Sequence, residues 1–145
     1  MRGCQRTPRL TTCFDDLAEA LRAWAKGLFS TEAAVELLIG HRSWLYRDDF
    51  LEMAVEFGPG IADGAAMAAV DWEAAVAALE AGRLPCSGGE GRILRLAASI
   101  AGGVAVDLGS ALSGLDEGNV AGVARAVLHA AGHQGLRVVV EGARW

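Results

Sequence analysis

Apolar residues recur along most of this chain at helical spacing. Leu17, Leu21, Trp24 and Leu28 fall at i, i+4, i+7 and i+11, one face of a helix running from about Thr12 to Lys26. Asp15, Asp16 and Glu19 lie in its early turns, where carboxylates oppose the positive helix end, and Gly27 stops it. Ser30 is a suitable cap for a second helix through Ile39, with Val35, Leu38 and Ile39 inward and Gly40 as its left-handed terminator. A third helix is expected from Asp48 to Phe57, burying Phe50, Met53 and Phe57, after an aromatic turn at Trp44, Leu45 and Tyr46. Gly58-Pro59-Gly60 breaks the pattern. Residues 61–70 leave two readings open, because Met67 to Val70 suits a short strand or a helical turn. Asp71 then caps a fourth helix through Ala81, with Trp72, Val76 and Leu79 as its apolar stripe.

Leu84-Pro85-Cys86-Ser87-Gly88-Gly89 is the best internal boundary. Ser87 and Glu90 form the S-x-x-E pattern of a capping box, so a fifth helix starts there, with Ile93, Leu96, Ala97 and Ile100 inward and Gly102-Gly103 at its end. Asp107 caps a short helix through Leu112. Asp116 caps a seventh to about Ala131, with Val120, Val123, Val127 and Leu128 assigned to the core. Leu136 to Val140 reads as a short strand or an extended tail packed on the body. The expectation is an all-α fold: a compact bundle of six or seven short helices with one or two minor strands. Residues 1–11 form a basic arm, and residues 12–145 one helical domain with lobes at about 12–82 and 87–141.

Composition narrows the class. Hydrophobic residues are 52% of the 145, enough for a core and too many for a disordered chain. No apolar run approaches the ~20 residues of a membrane span. The start of the chain, rich in arginine, does not read as a signal segment, so a soluble cytoplasmic protein is expected. Cys4, Cys13 and Cys86 are irregularly spaced and are expected to be reduced thiols. The net charge of −5 is uneven: residues 11–86 hold thirteen acids against five bases. That argues against broad nucleic-acid binding, which needs a basic face. Lys26 is the only lysine, so the arginine excess reads as codon bias rather than phosphate recognition.

The stretch from Trp24 to Phe50, with Glu32-Ala33-Ala34-Val35-Glu36-Leu37-Leu38 and Trp44-Leu45, resembles small helical proteins of high-GC bacteria. So does Leu84 to Glu90 with Gly114-Leu115-Asp116 and Asn119. The resemblance implies a stand-alone protein and carries no function.

Candidate chemistry is sparse. The last three helices have the order of a winged-helix unit, in which Asn119 and Arg125 are the DNA-reading candidates, but Asp116 and Glu117 would repel phosphates. His129 and His133 are four apart, yet Gly132 lies between them and no C-x-x-C accompanies them, so no metal site and no cofactor is expected. The acid pairs Glu32 with Glu36 and Asp48 with Glu52 lack the Glu-x-x-His of a bundle metal centre. Cys86 lies just before a helix start, where a thiol is acidified, but nothing local supplies a base, and no catalytic residue is assigned.

The leading expectation is therefore a non-enzymatic interaction module or accessory subunit. Its contact residues are Trp44, Tyr46, Asp48, Asp49 and Glu52, facing a protein partner with a basic surface. The alternative is a small DNA-binding regulator built on residues 87–141. Self-association as a homo-oligomer, most simply a two-fold dimer, is expected through Ala- and Gly-rich helix faces.

Overall fold

The computed structural model describes residues 13–59, 66–139 and 141. In chain order they form α1 (Phe14–Ala25), α2 (Phe29–His41), a 3-10 turn at Ser43–Tyr46, α3 (Asp48–Ala54), β1 (Val55–Pro59), β2 (Ala66–Val70), α4 (Trp72–Glu80), α5 (Gly88–Gly102), α6 (Leu108–Leu112) and α7 (Glu117–Ala130). The expected mostly helical fold with minor strands is the fold observed.

Helix α2 is the axis of the molecule. Ala33, Ala34, Val35, Leu37, Leu38 and Ile39 are all buried, on nearly every side of the helix. A helix apolar around most of its circumference has to be surrounded. Its neighbours are α5, α7 and α1, while α4 packs on α5 and the two-stranded sheet lies against α1. One core runs through both halves of the chain, from Leu17 and Leu21 through Trp44 and Phe50 to Ile93, Leu94 and Val123.

Local chemistry explains most boundaries. The Asp71 carboxylate accepts from Ala74 N at 3.0 Å and starts α4. Ser87 Oγ accepts from Glu90 N at 3.1 Å while the Glu90 carboxylate accepts from Ser87 N at 3.0 Å, completing the capping box of α5. Gly103, at φ +69°, closes that helix in the left-handed conformation.

Several expectations need correction. The third helix stops at Ala54 instead of Phe57, and Val55-Glu56-Phe57 pairs as a strand with Ala68-Ala69-Val70. Val55 is β-branched, and Gly58-Pro59 cannot carry a helix onward, so the antiparallel partner wins. Gly40 does not terminate α2. The helix continues to His41, and Arg42 takes the positive φ, at 76°. Trp24 and Leu28 are exposed, because Ala18, Leu21 and Ala25 set the centre of the buried face of α1 and the helix ends at Ala25. In α7 only Val123 and Ala126 are fully buried, whereas Val120 and Val127 face outward. The small side of α7 goes in because the backbones approach closely: a side chain at Gly122 would meet Leu37 at 3.4 Å. Leu136 and Val139 are exposed in irregular backbone, not packed on the body. Of the expected reduced thiols, Cys86 is free, Cys13 is disulfide-bonded, and Cys4 lies outside the described residues. The basic arm at residues 1–11 lies outside the described residues.

Candidate functional site

A cleft lies where α7 crosses α2, with α1 at its edge. It encloses about 610 Å³ and is lined by polar side chains including Arg22, Glu36, His41, Asn119, Arg125 and His129. At one end His41 Nδ1 donates to Asn119 Oδ1 at 3.2 Å. That bond leaves His41 Nε2 buried without a hydrogen-bond partner. At the other end His129 Nε2 donates to Glu32 Oε1 at 2.8 Å, and Gly27 N donates to Glu32 Oε2 at 2.7 Å. The His129 bond, then the Gly27 bond, hold the Glu32 carboxyl below its usual pKa. Between these ends Arg22 grips Glu36 with two bonds of 2.7 and 3.0 Å. The lining acids and arginines balance, and each histidine is tied to a neighbouring helix. The cleft is a polar seam that fixes α7 on α2.

That seam decides where the DNA-reading candidates point. Asn119 is turned inward: its side chain meets His41 and its backbone N–H is capped by Asp116 at 2.8 Å. Arg125 is exposed on the edge of the cleft. The surface that α7 offers to solvent lies on its other side. Val120 and Val127 are exposed there, Ala131 beyond the helix end is exposed too, and Ala121, Ala124 and Leu128 are half-buried. Glu117 is the one charged residue in this stripe. An exposed helix face of this kind is where sequence reasoning failed, since it ranked the largest residues as core. A count of apolar residues on both sides of α7 would have signalled it.

The partner-binding candidates divide. Trp44 is fully buried, with its indole N–H donating to Glu90 O at 2.9 Å and Phe50 beside it. It belongs to the core and exposes no surface. Tyr46 is 59% exposed and rigidly held: Phe14 stacks on it at 4.9 Å, and Arg42 Nη2 donates to its hydroxyl at 2.8 Å. Asp48 and Glu52 are exposed on α3. Asp49 is committed to Arg47, whose guanidinium holds its carboxyl below the usual range. Arg47 also donates to Pro85 O at 2.7 Å, tying α3 to the linker before α5. A second apolar exposure occurs at the α1–α2 corner, where Trp24, Leu28 and Phe29 are each about half exposed.

The catalytic readings find no assembly. Burial, with the Glu90 carboxylate adding to it, pushes the Cys86 thiol up rather than down, so the helix start does not activate it. Ser87 is spent as a cap. Glu32 and Glu36 bond different partners, His129 and Arg22, and do not converge. Among the described residues no three histidine, cysteine or carboxylate side chains come together around a point where a metal could bind, and no helix is long and apolar enough to cross a membrane. No family model matches this chain, and no curated protein or solved structure matches it either.

Proposed function

We propose that this chain is a non-enzymatic interaction module that docks a protein on the outer face of α7. The observation that carries the reading is the stripe of exposed Val120 and Val127, with half-buried Ala121, Ala124 and Leu128 beside them, on a helix whose opposite side is already packed. Leaving such a face in water forfeits about 25 cal/mol per Å² of apolar surface, and a covering partner recovers it. Tyr46 with Asp48 and Glu52 offers a second, acidic contact suited to a partner with a basic surface.

The same geometry disfavours duplex DNA as the ligand. A reading helix needs outward donors and nearby cations, whereas α7 turns Asn119 inward, presents valine and alanine, and begins at Asp116 and Glu117. A cytoplasmic location belongs to the proposal. The disulfide at Cys13 pulls against it, because such bonds persist in oxidising compartments, and cell fractionation separates the two.

The test is affinity purification from the native host after nuclease treatment, comparing the native chain with a Val120→Glu, Val127→Glu double variant. A stoichiometric protein partner that the variant loses supports the module. Recovery of DNA alone, or a partner retained undiminished by the variant, overturns it.

A further inference from the structure

We infer that the occupant of the α7 face is a second copy of this chain, packed antiparallel about Ala124. The inference rests on the module reading and specifies its partner. Four features of the face point to self-pairing.

First, the stripe is complementary to itself. Positions equidistant from Ala124 meet across a two-fold axis, so Val120 faces Leu128 of the other copy and Ala121 faces Val127. Each valine thus finds an apolar neighbour. Second, Ala124 at the crossing leaves room for close approach, at about 8 Å between helix axes. Third, α7 is electrically asymmetric. Asp116 and Glu117 stand at its start, and the exposed His133 and Arg137 follow its end. Antiparallel pairing keeps the acids at the two helix starts apart and aligns the helix dipoles favourably, while parallel pairing sets like against like. Fourth, each copy carries a net charge of −5, so two copies repel unless they meet over ground almost free of charge. With Glu117 as its only charge, the stripe provides that ground, and it offers a strongly charged foreign partner little to grip.

The experiment is light scattering on the full chain across a concentration series, together with cysteine cross-linking. The expected mass rises to twice the 15.1 kDa of one chain. Val120→Glu with Val127→Glu returns it to one chain with the helical circular-dichroism signal unchanged, because both valines stand outside the core. In a Cys86→Ser background, Ala124→Cys oxidises to a linked dimer, whereas Glu117→Cys does not, since the two copies of position 117 lie at opposite ends of the pair. Linkage at both positions means a parallel pair and overturns the inference. A dimer untouched by the glutamates overturns it as well. A chain that stays single at every concentration, yet loses a different stoichiometric partner in the glutamate variant, overturns the self-pairing and leaves the module reading standing.

Discussion

Arg42 holds the one positive φ found on a non-glycine among the described residues. Two contacts keep it there. Its N–H donates to Leu38 O at 2.8 Å, closing α2, and its guanidinium lies 4.3 Å from the Phe14 ring while bonding Tyr46. Sequence reasoning assigned the turn to Gly40, because glycine is the usual signal for positive φ. Nothing in the letter R reveals that a side-chain stack will outweigh backbone strain of about 1 kcal/mol. A pair of substitutions separates the two effects. Arg42→Ala and Arg42→Gly both lose the stack, but only alanine keeps the strain. The glycine variant is expected to be more stable than the alanine variant by about 1 kcal/mol in denaturant unfolding. Equal stabilities would mean the turn is not strained. Trp44 shows the converse limit: an aromatic beside acids reads as a contact residue until its burial and its bond to Glu90 O are seen.

Elements were legible wherever the signal is local. The Ser87–Glu90 box and the Asp71 and Asp116 caps act within three residues, so the starts of α4, α5 and α7 follow from the chain itself. Which face of α7 turns inward does not, because that depends on how near α2 comes. The pairing of these two helices carries a pH signature. Glu32 has a depressed carboxyl pKa in the folded protein, owing first to His129 and then to Gly27. A depressed carboxylate contributes stability above its unfolded value, and that contribution is lost as pH falls through the folded value. Glu32→Gln is therefore expected to melt lower than the native chain near neutral pH. The gap should close as pH drops below 4.5, the ordinary value for this group. Thermal melts across that range measure it, and a gap independent of pH would remove Glu32 from the account.

At the scale of the molecule, the two halves recognised from the Leu84–Gly89 break share one core, with α2 of the first enclosed by α5 and α7 of the second. Calorimetry is accordingly expected to give one cooperative transition, with calorimetric and van't Hoff enthalpies equal. Two resolved transitions would mean that the halves melt independently. The class of fold was readable because helical periodicity and alanine content agree along the chain. The exposed face of α7 was not legible, for want of knowledge about which apolar residues the core would leave over. The enclosure of α2 also sets an order of events during synthesis. Glu32 waits 97 residues for His129, and His41 waits 78 for Asn119. Until the last helix emerges from the ribosome, the side of α2 that α7 covers stays open. Contacts so distant in sequence form slowly, and the nascent chain passes through a period in which that apolar side is exposed.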